Sequence, residues 1–215
     1  MLSLMARILI TSGPTRQYLD PVRYLTNASS GRMGRALAEA ALQIGHEVVV
    51  ISGPVEVNYP NAAEVIDVVS TEEMLDAAQR EFSQCDGAIG VAAPCDYRPV
   101  KVSDQKISKT GGPLVLHLIE TPDVIATLGA HKRKDQWVVG FALETEDHRF
   151  RALRKLEEKS CDIIISNSPT AMNSVETQVE VLDPDGQVVA SLEGTKELVS
   201  SGIMTLIHAR FLLDR

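Results

Sequence analysis

The residues whose types suit chemistry fall into two polar segments. The earlier one, "GPTRQYLDPVRYLTNASSG" (13–31), carries Arg16, Arg23, Asn27, Ser29 and Ser30 and runs into the amphipathic stretch "RMGRALAEAA". Two guanidinium groups, free hydroxyls and the N–H donors of a helix beginning near Gly31 make a setting for phosphate or carboxylate. Asn27 adds an amide that donates and accepts at once, although asparagine before a helix also serves as a plain cap. The later segment, "CDYRPVKVSDQKISKTGGP" (95–113), is rich in cations, including Lys106 and Lys109, and holds prolines and glycines. It reads as a long exposed loop, the kind of segment that serves as a lid or binding element.

Further candidates stand at the ends of apolar runs. In "GAIGVAAPCDYRP" (87–99), Gly90, Val91 and Ala92 are slim enough for a flat ring to lie against backbone. Asp96 follows, where ribose hydroxyls or a metal ion are met in such folds. "TPDVI" (121–125) reads as a helix start with Pro122 at its first position, Asp123 in its first turn, and Val124 and Ile125 following; as a well-capped helix it needs no ligand. Phe141 near the end of "QWVVGFA" (136–142) suits stacking on a base or plain core packing. Lys155 and Lys159 share one helix face and repel each other unless an anion or acidic neighbours such as Glu157 and Glu158 compensate.

A nicotinamide-dinucleotide reductase is the first rival. "NASSGRMG" imitates a glycine-rich dinucleotide turn, and Tyr97 with Lys101 has the Y-x-x-x-K spacing of a proton-transfer pair. The fingerprint, however, needs its glycines within a few residues of the first strand, and Gly31 comes long after Ser12. The second strand ends in Ser52-Gly53-Pro54 rather than an acidic residue for the ribose, and Pro99 stands between Tyr97 and Lys101, which breaks the helix that would align them. The second rival is a nucleotide-binding subunit without catalysis.

The elements that must position these groups follow an alternating grammar. Apolar runs at Arg7–Ser12, His46–Ser52, Glu64–Val69, Gly87–Ala93, Gln136–Ala142 and Cys161–Ser166 read as buried strands. Helical patterns lie between them at Gly31–Ile44, Thr71–Ser83, Pro122–His131 and Glu146–Lys159. That order predicts a doubly wound α/β fold with a mostly parallel sheet. Near the end, "TQVEVLDPDGQVVASL" (177–192) predicts a β-hairpin, and a closing helix is expected with its N-cap near Thr195.

With 215 residues, 44% of them hydrophobic, the chain is long enough for a full core and is expected to form a single domain over 1–215. A net charge of −8 argues against nucleic-acid binding through a basic face. Cys85, Cys95 and Cys161 lack metal or C-x-x-C spacing and fit reduced thiols. The sequence holds no signal-like or membrane-spanning segment, so a cytoplasmic location without membrane association is expected.

Taken in order, "SGPTRQYLDPVRYLTNASSGRMG", "VISGPV", "GVAAPCDYRP", "DQKISK", "TPDVI", "VGFALET" and "KLEEKSCDIIISN" resemble one family, phosphopantothenate-cysteine ligase, also called phosphopantothenoylcysteine synthetase. The resemblance covers Ala6 to about Leu212. It implies a Rossmann-like fold with a mobile flap and a two-step ligation in coenzyme A synthesis. The carboxylate of 4′-phosphopantothenate is first activated by CTP as an acyl-cytidylate, and the amine of cysteine then displaces CMP. Magnesium is expected to neutralise the phosphates. The resemblance casts Asn27 as the residue that engages the acyl-nucleotide and Lys106 as the leading cation of the flap. Gly90, Val91, Ala92, Asp96, Pro122, Asp123, Val124, Ile125, Phe141, Lys155 and Lys159 fall where bacterial members contact CTP.

Departures are local. Ser108 replaces a usual second flap lysine while Lys109 is kept, Ala28 stands where His is frequent, and Arg32 where Lys is frequent. Bacterial members are commonly fused behind a flavin-dependent decarboxylase, whereas this chain opens on the ligase half. No FMN site is therefore expected, a separate phosphopantothenoylcysteine decarboxylase is, and a homodimer is implied, with the late hairpin as a candidate partner surface.

Overall fold

The fold follows from which strand runs can be covered on both faces. A computed structural model of the chain describes residues 5–143, 148–167 and 176–213. In β1 (Arg7–Ser12), Ile8, Leu9 and Ile10 are each 0% exposed, so this strand lies at the centre of the sheet with helices above and below. The sheet order is β12-β11-β10-β9-β6-β1-β4-β5. It is built from β4 (Glu47–Ser52), β5 (Glu64–Asp67), β6 (Gly87–Gly90), β9 (Trp137–Leu143), β10 (Ile163–Asn167), β11 (Glu176–Leu182) and β12 (Val188–Thr195). All neighbours from β5 to β10 pair in parallel, and β11 and β12 add antiparallel strands at one edge.

Alternation along each strand sends side chains to two separate cores. Ile8, Ile10, Val48 and Val50 pack with Leu37 and Ala41 of α1 (Arg32–Gln43) and with Ile203, Met204 and Ile207 of α5 (Lys196–Phe211). Leu9, Val49 and Ile51 face the other way, onto Met74, Ala77 and Ala78 of α2 (Thr71–Phe82). That same core takes in Val124 and Leu128 of α3 (Val124–His131) and Ala152 and Leu156 of α4 (His148–Glu158). The chain steps from β1 outward to β4 and β5, then returns through α2 to β6 on the opposite side of β1. The crevice above the carboxyl ends of β1 and β6 is thus the point where connections diverge, the expected seat of a ligand in such a sheet.

The doubly wound α/β expectation holds, with differences in the connections. The long first loop folds a two-stranded ladder, β2 (Arg16–Tyr18) with β3 (Tyr24–Thr26). The segment read as a structureless loop is pinned at its base, where β7 (Tyr97–Pro99) pairs with β8 (Leu118–Glu120). α3 starts two residues later than its sequence pattern implied. Asp123 takes an extended conformation and accepts from the Ala126 N–H, so it is the N-cap and Pro122 lies outside the helix. The first part of the Glu146–Lys159 pattern lies outside the described residues. Among the described residues no helix is long and apolar enough to cross a membrane.

The turn before β4 is tied to the closing helix by two imidazoles. Nδ1 of His46 accepts from the Ala6 N–H at 3.3 Å, which leaves its proton on Nε2, donated to His208 Nδ1 at 3.1 Å. Burial pushes the His46 imidazole below its ordinary value, His208 adds to this, and Asp86 opposes it. The unfolded chain therefore takes up this proton first as pH falls. The stability that His46 contributes is complete above about 6.5 and is lost as pH drops from there through the lower folded value. Thermal melts at pH 7.5 and 5.5 should show a falling midpoint, and His46→Gln should flatten that slope. Equal slopes in both proteins would count against this account.

Candidate functional site

Three contiguous depressions lie along the carboxyl edge of the sheet. The first, of about 340 Å³, sits in the crevice between β1 and β6; Thr11, Gly90, Gly140 and Phe141 line its floor and Pro122–Ile125 one wall. The second, of about 240 Å³, shares Ala92 and Phe141 with the first and reaches the first turns of α1 and α5. The third, of about 460 Å³, shares Ala28, Ser29, Ser30 and Arg32 with the second and extends past Asn27 and Arg16. Their sizes suit small-molecule ligands.

Close approach of backbone makes the first cavity. A Cβ on Gly90 would collide with the Ile125 side chain, so only glycine lets the start of α3 lie down on the end of β6. At the head of the second cavity, Gly31 holds φ +74, the left-handed region that glycine takes without strain. As N-cap it offers α1 no side-chain acceptor, and the first-turn N–H groups of α1 remain available to an outside acceptor.

A closed hydrogen-bond ring fixes the loops around the first cavity. The Cys95 N–H donates to Thr15 Oγ1 at 2.8 Å, and Thr71 Oγ1 donates to the Cys95 carbonyl at 3.1 Å. The only hydroxyl proton left for the 2.8 Å contact between Thr15 and Thr71 is that of Thr15. Both threonines are fully buried. Thr121 Oγ1 adds a 2.6 Å bond to the same Cys95 carbonyl, and Thr26 Oγ1 donates to the Thr15 carbonyl. Asn27 hangs on this assembly: its Nδ2 donates to the Pro94 carbonyl at 2.8 Å and to that of Ala93 at 3.4 Å. Among the described residues its Oδ1 has no hydrogen-bond partner, so it is the open pole of the amide.

Charge divides unevenly between the cavities. Among the described residues, Asp96, Glu120 and Asp123 rim the first against one lining cation, Lys159, whose ammonium pairs with Asp123 at 3.0 Å. The second has no lining carboxylate among the described residues but has Arg32 and Lys196. In a chain of net charge −8 that is a concentrated positive spot.

Of the residues singled out by sequence, Gly90, Ala92, Asp96, Pro122, Asp123, Val124, Ile125, Phe141 and Lys159 line the first cavity, and Val91 lines the second. Ser29, Ser30 and Gly31 line the second, and Arg16, its guanidinium 4.6 Å from the Tyr24 ring centre, lines the third with Asn27. Lys106, Lys109 and Lys155 line none of the three, and Lys106 and Lys109 are exposed on the 100–117 segment. Arg23 also stays outside, bonded to Asp20 and to the Ile107 carbonyl. Tyr97 sits on β7 rather than on a helix with Lys101. Sequence reasoning did not single out Thr15, Thr71, Thr121, Glu120, Asn167, Thr177 and Lys196; Thr15, Thr121 and Asn167 lie inside motifs quoted above, but nothing local distinguished them from their neighbours. The three cysteines are buried, and burial pushes the thiols of Cys85 and Cys161 up to about 11 and about 12, so neither offers a thiolate near neutrality.

Residues 4–211 match the family described as DNA/pantothenate metabolism flavoprotein, C-terminal domain. The chain belongs to this family. It is 40% identical over 207 residues to the coenzyme A biosynthesis bifunctional protein CoaBC of Vibrio vulnificus, covering 94% of this chain and 51% of that protein. It is 42% identical over 212 residues to a cysteine/cysteine sulfinic acid decarboxylase of an unknown prokaryotic organism, covering 94% of this chain and 59% of that one. The chain thus spans about half the length of these curated relatives, or a little more. The crystal structure of a CoaBC C-terminal domain superposes with a TM-score of 0.81 at 36% identity, covering 97% of each chain. A Cab2 variant in complex with phosphopantothenate-cysteine shares the fold, with a TM-score of 0.80 at 16% identity. The matched family and the CoaBC relatives agree with the family that the ordered motifs resemble.

Thr15→Val keeps the volume but removes the acceptor of the buried Cys95 N–H and the proton given to Thr71. The cost should be about 1–3 kcal/mol. Urea unfolding measures it; an unchanged midpoint would show the ring to be unimportant.

Proposed function

We propose that the chain is a phosphopantothenate-cysteine ligase that uses CTP. The reading rests on one juxtaposition: a crevice shaped for a nucleoside, opening at Ala92 and Phe141 into a cavity whose charged lining among the described residues is Arg32 and Lys196, with Asn27 anchored in the adjoining one. The base and ribose would occupy the first cavity, where the slim floor admits a ring and Asp96 and Glu120 suit ribose hydroxyls. The phosphate end of phosphopantothenate would occupy the second, met by Arg32, Lys196 and the N–H groups of α1.

In the first step a carboxylate oxygen of phosphopantothenate bonds to the α-phosphorus and the bond to the bridging oxygen breaks, releasing pyrophosphate. In the second, the cysteine nitrogen bonds to the acyl carbon, the acyl C–O bond to the phosphate breaks, and CMP leaves as the amine proton is lost. Asn27 suits this second step, because its Nδ2 is committed to backbone carbonyls and its Oδ1 can accept from the attacking amine. Lys159, prepositioned by Asp123, and Lys106 on the exposed segment are cations for developing phosphate charge.

Magnesium fits the rim as a phosphate-borne ion. Among the described residues no three His, Cys, Asp or Glu side chains cluster for a metal, so Asp96 or Glu120 would add a carboxylate to phosphate and water ligands. When bound, the ion neutralises phosphate charge. A homodimer is part of this reading. Exposed apolar side chains gather around β2–β3 and β7–β8, at Tyr18, Val22, Tyr24, Leu114, Val115 and Ile119, a second candidate partner surface beside the late hairpin, where Val188 and Val189 are exposed. A cytoplasmic location and a separate decarboxylase to consume the product complete it.

The deciding measurement is pyrophosphate release with phosphopantothenate, cysteine and magnesium, comparing CTP with ATP. Release that needs phosphopantothenate and favours CTP is expected; the same dependence with ATP would keep the reaction and change the nucleotide. No release from folded protein would leave a binding-only role. Lys106→Gln should nearly abolish release with the fold intact, and Asn27→Asp should slow amide formation by roughly 10–100-fold, with acyl-cytidylate detectable by mass spectrometry. Lys196→Ala should raise KM for phosphopantothenate roughly tenfold, a loss of one charge-assisted bond, and leave nucleotide affinity unchanged.

A further inference from the structure

The 100–117 segment is bolted to the first polar segment at a place that no cavity explains. Asp20 has a fully buried side chain. Its Oδ1 accepts from the N–H groups of Val22 and Arg23, both at 2.8 Å, which closes a tight turn around Pro21. Its Oδ2 accepts from Arg23 Nη1 and from the Ile107 N–H, both at 3.0 Å. Arg23 Nη1 also donates to the Ile107 carbonyl at 2.9 Å. The carboxylate and guanidinium together thus grip both backbone poles of one residue. A second mooring lies four residues earlier, where the Ser103 N–H donates to the Leu19 carbonyl at 2.9 Å, and Ser103 Oγ donates to the Gln105 carbonyl.

Between these moorings stands Lys106. Beyond them come Ser108, Lys109, Thr110 and the Gly111-Gly112 pair, all exposed and without a comparable hold. The segment therefore has two mechanically different parts, a fixed base that carries Lys106 and a tip that carries Lys109. Burial acts to raise the Asp20 carboxyl, but the N–H donors of Ile107, Val22 and Arg23 and the Arg23 charge outweigh it and hold it below its ordinary value. The grip is thus made by an ionised carboxylate at neutral pH.

We propose that Asp20 and Arg23 are positioning residues: by clamping the Ile107 backbone they set where the Lys106 ammonium stands. The proposal rests on the role given above to Lys106. It differs from a direct role of Arg23 on substrate, because the guanidinium is spent on Asp20 and Ile107 rather than aimed into a cavity. An asparagine at position 20 cannot replace the carboxylate, since its donor pole would face either the Ile107 N–H and the guanidinium or, with the amide turned over, the N–H groups of Val22 and Arg23 that set the turn, and in both orientations the charge that holds Arg23 is gone.

Amide exchange and a double-mutant cycle test this together. In Asp20→Asn, exchange at the Ile107 amide should rise at least about tenfold over wild type while the amides of Ile8 to Ile10 keep their protection. Pyrophosphate release should fall in kcat by roughly 10–100-fold, with KM for CTP within about threefold, the mark of a misplaced group. In a Lys106→Gln background the same Asp20→Asn change should cost nothing more, since a residue that acts only through Lys106 has nothing left to position. Unchanged exchange at Ile107, or an equal loss of kcat in both backgrounds, would overturn the proposal. If Asp20→Asn fails to fold, Arg23→Gln carries the same cycle with the Asp20 turn intact. A wild type that releases no pyrophosphate would sink the ligase reading alone, because exchange at Ile107 still decides whether the clamp holds the base.

Discussion

Three hydrogen bonds among Thr15, Thr71 and Cys95 decide where the candidate site lies, because each partner comes from a different crossing of the sheet. Thr15 follows β1, Thr71 opens α2 and Cys95 follows β6. Each hydroxyl gives one proton and takes one, so the ring is closed and its direction has no alternative. In a buried setting such a ring is either complete or costly. Because Thr121 and Asn27 hang on the Cys95 and Pro94 carbonyls, the approach to α3 and the amide proposed to meet the substrate amine inherit their positions from it.

Topology explains why that ring is needed. Where the chain leaves β1 in one direction and comes back to β6 in the other, no crossover helix covers the strand ends between them. An uncovered edge suits a ligand but does not hold its own loops. The ring ties the loops together beyond the strand ends, and the bridge between Pro14 and Ala93 with the Ala93 N–H bond to the Gly13 carbonyl links it back to β1 and β6. The price is a slim floor: Gly90 has no room for a side chain under Ile125, which is also what leaves space for a flat ring.

The strand runs were legible because their covered faces demand unbroken apolar stretches, as in "RILITS" and "EVVVIS". The slim run Gly90–Ala92 and "TPDVI" were legible as site candidates because close approach and helix capping leave local marks. The start of α3 was misjudged by two residues because proline at a first helical position and aspartate at an N-cap are both good openings, and the Asp123 side chain chose the latter. Thr15, Thr71 and Lys196 were not legible. Thr15 meets Thr71 56 residues on and Thr71 meets Cys95 24 residues on, and an isolated threonine, or a lysine opening a distant helix, carries no sign of the cavity it meets. Arg23 was singled out as a cation for substrate phosphate or carboxylate, and its bonds to the later segment were not legible, since its partner Ile107 is 84 residues on.

The pairing of Lys159 with Asp123 shows how the acidic rim and an anionic ligand can coexist. Asp123 spends Oδ1 on the Ala126 N–H and Oδ2 on the ammonium, so one carboxylate both starts α3 and holds a cation at the cavity mouth. A lysine held this way has already lost much of its rotamer freedom, which a phosphate would otherwise have to take from it on binding. The carboxylate nevertheless competes for the same charge, so the pair favours a ligand that brings several negative oxygens over one that brings a single carboxylate. With the adjoining cavity offering Arg32 and Lys196 and no acid among its described lining residues, the two proposed ligands divide between the halves: the phosphate of phosphopantothenate meets the cationic cavity, and the triphosphate of the nucleotide meets the Lys159–Asp123 pair.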